Sequence, residues 1–287
     1  MNFRFANFDD IDQLKVIWKA CFNESDKAIE FFFKNKFPNA RCVVLEIDKK
    51  IISALYMLDT NMVLSGDLCP CYYLYAAGTL PNFQGHGYMS KLIEYANKQA
   101  VRLKKRISVL LPASKELYNY YEKQGYKAFF KRRFVTLSYD DMSKYKGACT
   151  NKDMSISSMY GLMKIMCKDN YGSVLWSESS FKYAININEI YGGKTVVSYK
   201  GYAMCIPLSS NTLLVSELIY FEDGFKELMA KIYSEFPKFN FYKFRFPLFE
   251  KCLNGIGEEE RFGMIKILDK NLFLKENIKP YLGLTLD

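Results

Sequence analysis

Two glycines, Gly85 and Gly87, lie in a polar turn between an apolar run, Tyr72–Leu80, and a segment that predicts a helix. A helix start presents backbone N–H groups that lack intrahelical partners, together with the positive end of the helix macrodipole. Glycine lets the backbone approach a ligand closely because it carries no Cβ. The turn is therefore predicted to bind an anion, and a phosphate group fits that chemistry.

The spacing of this turn distinguishes it from two other phosphate-binding loops. A dinucleotide-binding fingerprint has three glycines directly after the strand and an acidic residue about twenty positions later. Here Pro81 and a polar spacer come first, and only Gly85 and Gly87 follow. The lysine of a P-loop is also missing, so neither loop type explains the turn.

The stretch resembles motif A of the GNAT (Gcn5-related N-acetyltransferase) superfamily, in which Gln/Arg-x-x-Gly-x-Gly/Ala binds the pyrophosphate of acetyl-coenzyme A (acetyl-CoA). Gln84-x-x-Gly87-x-Met89 matches that pattern except at its last position. The resemblance implies acetyl-CoA as the acyl donor. The cofactor-binding residues that it implies here are Ala77, Gly78 and Thr79 on the strand and Gly85, His86, Gly87, Tyr88, Met89 and Ser90 in the turn.

A second motif follows at the spacing that this family requires. Arg106–Leu111 predicts a buried strand, and the next residues predict a helix that is capped by Ser114 and closed by Gly125. This pattern resembles the family's motif B. There, a tyrosine four residues before a Gly-Phe or Gly-Tyr pair lies near the thiol and acts as general acid, a place held here by Tyr121. By the same resemblance, Ser114 replaces a helix-start asparagine and contacts the pantetheine arm of the cofactor.

Composition and charge favour a cytoplasmic enzyme. The chain has 287 residues, enough for two domains, and no run approaches the ~18 consecutive apolar residues of a membrane span. Its eight cysteines lie mostly within apolar patterns, and with a single histidine no metal site is expected. The net charge of +9 suits an anionic cofactor, while its basic runs are too short to indicate nucleic-acid binding.

The coarse order of elements up to about Leu137 is β-α-α-β-β-β-α-β-α-β, which is similar to that of a GNAT domain. Helical spacing covers residues 10–22 and 27–37, and a hairpin of strands 41–47 and 51–58 precedes the apolar run. A polar connector, Ser138–Ser155, then predicts a boundary between domains at residues 1–140 and 141–287.

The second half of the chain repeats the first in outline. The matching elements are a hairpin at residues 195–208, a strand Leu213–Tyr220, a helix Phe225–Phe236, a strand Phe239–Phe246 and a short remnant of motif B, Phe249–Leu253. Its turn, Phe221–Gly224, has one glycine and two acidic residues that would repel a pyrophosphate. The predicted fold class is α/β (α+β), with two GNAT-like domains, each a mixed central sheet flanked by helices, and the second degenerate.

This tandem arrangement resembles the enhanced-intracellular-survival (Eis) type of acetyltransferase, without the third domain that those proteins usually carry. In that subfamily the C-terminal carboxylate can reach the active site, which implies a catalytic role for Asp287. Many GNAT proteins instead place a glutamate base on the cofactor strand, but no Asp or Glu lies between Cys69 and Gln84. The base stays open among Asp287, Glu217 and a backbone carbonyl that acts through water.

The resemblance implies direct acetyl transfer to a small-molecule amine or a peptide amine, with no nucleic-acid or membrane partner. The sequence names no particular acceptor, and it leaves open whether the chain forms a homo-oligomer. Two other functions are kept as alternatives. The missing carboxylate is compatible with a non-catalytic acyl-CoA sensor, and aminoacyl-tRNA-dependent transferases also have tandem GNAT folds, although they generally lack an intact pyrophosphate turn.

Overall fold

A computed structural model describes residues 1–147, 154–221 and 223–285. These residues divide into two compact units. The first contains Met1–Met62, Leu68–Phe129 and Gly263–Lys275, and the second contains Val63–Asp67, Phe130–Phe262 and the segment from Glu276 onward. Within the described ranges, no helix is long and apolar enough to cross a membrane.

The strands and helices follow one another in the order predicted through the first half of the chain. The strands are β1 (Asn2–Phe5), β2 (Arg41–Ile47), β3 (Lys50–Leu64), β4 (Asp67–Thr79), β5 (Ile107–Leu110), β6 (Lys127–Ser138), β7 (Val174–Leu175), β8 (Lys194–Ser198), β9 (Gly201–Pro207), β10 (Thr212–Tyr220), β11 (Phe241–Pro247) and β12 (Glu258–Ile267). The helices are α1 (Ile11–Cys21), α2 (Asp26–Asn35), α3 (Tyr88–Arg102), α4 (Glu116–Lys123), α5 (Tyr139–Ser143), α6 (Ile156–Asp169), α7 (Glu178–Ile190) and α8 (Phe225–Glu235).

Serine side chains begin four of these helices, and at α5 Ser138 Oγ accepts a hydrogen bond from the Asp141 N–H at 3.2 Å. Ser25, Ser155 and Ser177 each accept a hydrogen bond from the backbone N–H three residues later, at distances of 3.2, 3.1 and 3.2 Å. Such a bond satisfies one of the N–H groups that a helix start leaves unpaired. The serines therefore fix where α2, α5, α6 and α7 begin.

The sheet of the first unit has the order β1-β2-β3-β4-β5 followed by the end of β12. It is mixed, because β4 and β5 are parallel whereas β2 and β3 are antiparallel. Alternate residues of β3 face opposite sides of this sheet. Leu55 and Met57 join a buried cluster with Leu92 of α3, while the Tyr56 ring contacts Trp18 of α1 at a centroid distance of 5.2 Å. Helices therefore cover both faces.

The sheet of the second unit has the order β6-β11-β10-β9-β8 and is also mixed. Its β10 and β11 are parallel, as β4 and β5 are in the first unit, and its β8 and β9 form an antiparallel hairpin. Leu228 and Ile232 of α8 pack with Ala203 of β9 in the core. The Phe181 ring of α7 meets Tyr202 edge-on, at a centroid distance of 5.5 Å. Two mixed sheets with flanking helices confirm the predicted fold class.

The second half differs from its predicted outline in two respects. Two helices, α6 and α7, precede the β8–β9 hairpin, as α1 and α2 precede β2–β3, and the outline did not include them. The predicted remnant of motif B at Phe249–Leu253 is wrong, because these residues form turns and no helix. The turns are held in place by Arg133, whose guanidinium donates hydrogen bonds to the backbone carbonyls of Cys252 and Leu253, each at 2.6 Å.

Each unit includes strand residues from the other half of the chain. The end of β12 pairs with β5, with Met264 opposite Leu110, while β6 pairs with β11, with Val135 opposite Phe244. The compact units therefore interleave along the chain, whereas the sequence predicted consecutive domains at 1–140 and 141–287. The pattern of side chains along a strand does not identify the neighbour with which the strand pairs.

Candidate active site

The strand β4 separates from its parallel neighbour β5 near the middle of its length. Paired residues run from Cys71, opposite Ile107, to Tyr73, opposite Val109, and β4 continues to Thr79. Ala76 lies in this continuation with a φ of 43°, a left-handed conformation that is uncommon for a residue with a side chain. The bend at Ala76 redirects the end of β4, which leads directly into the turn.

The glycine turn lies between β4 and α3, as the sequence predicted. Gly85 and Gly87 have φ values of 81° and 72°, in the region that favours glycine. Gly87 is the N-cap of α3 and supplies no side chain to the first turn of that helix. A Cβ at either glycine would meet no atom within 4 Å, so both face open space. The first N–H groups of α3 are therefore accessible to an anion.

Gln84 holds the turn against the end of β4. Its Nε2 donates a hydrogen bond to the Thr79 carbonyl at 2.9 Å, and its backbone N–H donates to the Pro81 carbonyl at 3.2 Å. On the other side of Thr79, the Cys21 thiol donates to the same carbonyl at 3.3 Å. The motif glutamine therefore has a structural role, since it fixes the distance between the strand end and α3.

The turn, the end of β4 and α4 surround a cleft of about 540 Å³ in the first unit. Its lining residues are Ala77, Thr79, Phe83, Gln84, Gly85, Gly87, Tyr88, Met89, Ser90, Leu117, Tyr120 and Tyr121. This set contains no charged side chain. A phosphate in the cleft would be held by backbone N–H groups and the macrodipole of α3.

Tyr121 projects from α4 into the cleft and is only 8% exposed. Its ring packs edge-on against Tyr120 and Tyr126, at centroid distances of 5.2 and 5.8 Å. Burial, followed by the two neighbouring tyrosines, raises the pKa of Tyr121 above its ordinary value. The hydroxyl is therefore protonated at neutral pH, as a proton donor must be.

Tyr120 also lines the cleft, although the sequence interpretation included only Tyr121. The Tyr120 hydroxyl lies 3.1 Å from the Ser90 hydroxyl, and Gln124 Nε2 donates to Ser90 Oγ at 3.0 Å. This small network joins the first turn of α3 to α4 and sets the width of the cleft. Burial raises the pKa of Tyr120, while the hydrogen bond to Ser90 opposes that effect.

Three residues assigned to cofactor binding do not line the cleft. Gly78 packs against α1, where an added Cβ would lie 3.0 Å from Cys21 Sγ. His86 is exposed, with its Nδ1 2.8 Å from the Gln84 carbonyl. The prediction that Ser114 caps α4 is wrong, because the N-cap is Lys115 and its side chain makes no capping bond.

Neither of the two candidate carboxylate bases is among the described residues that line the cleft. Asp287 falls outside the described residues. Glu217 is 3% exposed, belongs to the second unit and accepts a hydrogen bond from the Leu284 N–H at 2.8 Å. Among the lining residues, Phe83, Leu117 and Tyr120 were not predicted as site residues. Leu117 lies four residues before Tyr121 on α4, so helical spacing could have predicted that both side chains face the cleft. For Phe83, the available signal was its position directly before the motif glutamine.

The corresponding turn of the second unit has a different geometry. Gly224 is the N-cap of α8 but has an ordinary φ of −64°. The Asp223 carboxylate forms an ion pair with Lys200, and the Phe221 N–H donates to the Lys200 carbonyl at 2.7 Å. A negative charge at this helix start disfavours a phosphate, in agreement with the predicted degeneracy of this copy.

The sequence of residues 2–129 matches the family model of the acetyltransferase (GNAT) domain. No curated protein sequence matches the chain significantly.

Solved structures share the fold over almost the whole chain. A probable N-acyltransferase of unknown function from Enterococcus faecalis V583 is 17% identical, with a TM-score of 0.75 over 93% of this chain and 72% of that one. A GCN5-related N-acetyltransferase from Anabaena variabilis ATCC 29413 is 16% identical, with a TM-score of 0.76 over 93% and 73%. Eis1 from Mycobacterium abscessus is 13% identical, with a TM-score of 0.67 over 94% and 74%. At such identities these likenesses show the fold.

Proposed function

We propose that the protein transfers an acetyl group from acetyl-CoA directly to an amine, since residues 2–129 match the family model of the GNAT acetyltransferase domain. The observation that carries this proposal is the open glycine turn at the start of α3, next to a buried tyrosine in one uncharged cleft. One part of the cleft suits the pyrophosphate of the donor, and the other suits its thioester.

The cofactor is proposed to bind along the end of β4 and across the turn. The backbone of Ala77 lies beyond the last residues that β4 pairs with β5, and it is proposed to pair with the amide groups of pantetheine as an added strand would. Thr79 lines the same cleft, with its carbonyl already bonded to Gln84 and Cys21. The pyrophosphate then lies against Gly85 and Gly87 and the first N–H groups of α3. Gly78 has no side chain, and this lets the Cys21 side chain of α1 pack closely against β4.

Tyr121 is proposed to supply the proton that the departing thiolate needs. In the reaction the amine nitrogen forms a bond to the thioester carbon, the C–S bond breaks, and the sulfur takes the tyrosine proton. The raised pKa of Tyr121 keeps that proton in place until the thiolate forms. Acid–base catalysis of this kind contributes roughly 10²- to 10⁴-fold to a rate.

A proton must also leave the attacking amine, and the lining residues include no carboxylate. We propose Asp287 as its acceptor. The support is the segment that precedes it, since Tyr281 is 1% and Leu284 7% exposed and their backbone is held by hydrogen bonds.

The proposed function is tested first by calorimetry with acetyl-CoA. We expect one site per chain, and we expect the non-hydrolysable acetonyl-CoA to compete for it. Binding of two molecules per chain, or binding that is unchanged when Gly87 is replaced by glutamate, would show that the turn is not the donor site. Transfer is then followed as thiol release with a panel of amines.

A further inference from the structure

A second cavity, of about 50 Å³, lies within the second unit. Its walls come from β6, α7, β9, β10 and the segment that contains Leu284. Ser216 and Ile206 in its lining are only partly buried, so the cavity reaches the surface. Its volume corresponds to a few water molecules or to the polar end of a small ligand.

Two charged side chains, Arg132 and Glu217, lie at the buried end of this cavity. They are 1% and 3% exposed, and Arg132 Nη2 lies 3.8 Å from Glu217 Oε2, which is an ion pair longer than a hydrogen bond. Burying such a pair carries a large desolvation cost, so its presence is weak evidence for a stabilising role. A buried charged pair beside an opening is better explained by recognition of a ligand.

Both terminal nitrogens of Arg132 donate to backbone carbonyls, those of Arg245 and Leu282. Its Nη2 donates to the Leu282 carbonyl at 2.8 Å, and its guanidinium carbon lies 4.1 Å from the centroid of the Tyr281 ring. The Glu217 carboxylate accepts the Leu284 N–H at Oε1. A carboxylate has about four lone-pair sites, so it can accept from Leu284, from Arg132 and from a ligand at the same time.

The other polar groups of the lining also present acceptors. The Asn188 Nδ2 donates to the Cys205 carbonyl at 3.3 Å, which leaves Oδ1 as the acceptor of this amide. The Ser216 hydroxyl donates to the Met204 carbonyl at 3.3 Å, which leaves the lone pairs of its oxygen. A ligand that matches Glu217, Asn188 and Ser216 must therefore bring several hydrogen-bond donors.

We infer that this cavity binds the ammonium group of a primary alkylamine. An ammonium carries three N–H donors and one positive charge. The three donors match the Glu217 carboxylate and the neutral oxygens of Asn188 and Ser216. Ile187, Met204 and Leu214 supply an apolar wall for the first carbons of the alkyl chain. The inference does not rest on the proposed function, since it concerns the second unit and involves no acetyl-CoA.

The test is calorimetry on the full chain, without acetyl-CoA, with three probes of equal length: propylamine at pH 7, propan-1-ol and propionate. We expect one saturable site for propylamine and at least about tenfold weaker binding of the other two. Ala184→Leu, which places a larger apolar side chain in the cavity, should abolish propylamine binding. Glu189→Gln removes an exposed charge from the same helix and should leave it unchanged.

Two further variants test whether the Glu217 charge and the Ser216 hydroxyl contribute to propylamine binding. Glu217→Gln keeps an acceptor for the Leu284 N–H and should weaken propylamine binding at least about tenfold. If this variant does not fold, Ser216→Ala removes one acceptor at a partly exposed position and should weaken binding several-fold. The inference is overturned if no saturable propylamine site is found, if propanol binds equally well, or if binding survives Ala184→Leu.

Discussion

The Tyr120 and Ser90 hydroxyls are hydrogen-bonded at 3.1 Å, while the adjacent Tyr121 makes no side-chain hydrogen bond to another described residue. Both tyrosines line the same cleft. The Tyr120 hydroxyl joins α4 to α3, so its contribution is to the shape of the cleft. We propose that the Tyr121 hydroxyl, which has no such bond, instead serves the reacting group.

Replacing Tyr121 by phenylalanine is expected to lower kcat by roughly 10²- to 10⁴-fold, because the ring and its packing remain while the proposed proton donor is lost. The dissociation constant for acetyl-CoA should change by less than about threefold. Steady-state kinetics and calorimetry on the same preparation measure both quantities.

Tyr95→Phe is the matched control, since Tyr95 stacks on Phe3 at a centroid distance of 5.5 Å and is not among the cleft-lining residues. It should retain full activity. Tyr120→Phe should cost less than about tenfold in kcat, through the lost bond to Ser90. An equal loss at Tyr120 and Tyr121 would assign both hydroxyls to the shape of the cleft.

Replacing Gly87 by glutamate is expected to abolish acetyl-CoA binding. The added Cβ meets no atom within 4 Å, so the side chain is accommodated, and its charge enters the anion site at the start of α3. Gly87→Ala has the same left-handed backbone cost, about 1 kcal/mol, without the charge, and should bind more weakly but measurably.

Gly192→Glu controls for the backbone strain of such a change. Gly192 has a φ of 83°, and a Cβ added there would also meet no atom within 4 Å, but this glycine lies in the second unit. Calorimetry should give the unaltered acetyl-CoA affinity for this variant. Loss of binding there as well would mean that glutamate at a left-handed position disrupts the fold in general.

The pH dependence of kcat follows from the direction of the Tyr121 shift. A proton donor is active below its pKa, and burial raises the pKa of Tyr121 above the ordinary value of about 10. Turnover should therefore rise as the amine loses its proton and show no descending limb up to about pH 10. A descending limb with an apparent pKa below about 9, with the fold intact by circular dichroism, would contradict this role.

Trp176 is expected to stabilise the second unit by fixing the segment after Tyr281. Its Nε1–H donates to the Gly283 carbonyl at 2.9 Å in a buried setting. Trp176→Phe should lower the free energy of unfolding by about 1–3 kcal/mol beyond the cost of the smaller ring. Trp18→Phe gives that ring cost, because the buried Trp18 indole N–H has no hydrogen-bond partner among the described residues. If denaturant titrations gave the same loss of unfolding free energy for Trp176→Phe and Trp18→Phe, the hydrogen bond to Gly283 would contribute nothing to stability.

Removing Leu286 and Asp287 tests the proposed base. The Leu284 N–H and its bond to Glu217 remain, so the fold should be retained. Acetyl-CoA affinity should stay within about threefold, because the proposed donor contacts are all in the first unit, while kcat falls by at least about tenfold. Unchanged turnover would exclude Asp287 and leave a backbone carbonyl or water as the proton acceptor.

Local signals in the sequence predicted the glycine turn correctly. Gly85 and Gly87 require left-handed backbone, and a helix must follow a strand closely for such a turn to form, so neighbouring residues carry the whole pattern. The start of α4 was misplaced for a related reason. Ser114 is a favoured cap residue, but the helix begins after Lys115, and cap preference is weaker than the packing that places Tyr118 and Tyr121 in the core.

Long-range features were harder to predict from the sequence. The pairing of β12 with β5 joins Met264 to Leu110, and no local pattern at either residue identifies the other. The cavity at Glu217 depends on five separate elements, including the segment with Leu284, which are brought together only by the fold. The sequence interpretation accordingly treated Glu217 as a candidate base or an ordinary strand residue.

The most direct test of the central claim is amine-dependent release of coenzyme A thiol from acetyl-CoA, measured with the wild-type chain over a panel of small-molecule and peptide amines. The account predicts that at least one amine raises thiol release above the rate of hydrolysis, that an equal amount of acetylated amine forms, and that Tyr121→Phe and Gly87→Glu each remove this release. Tight binding of acetyl-CoA with no acetylated product from any amine would contradict the claim and indicate a sensor.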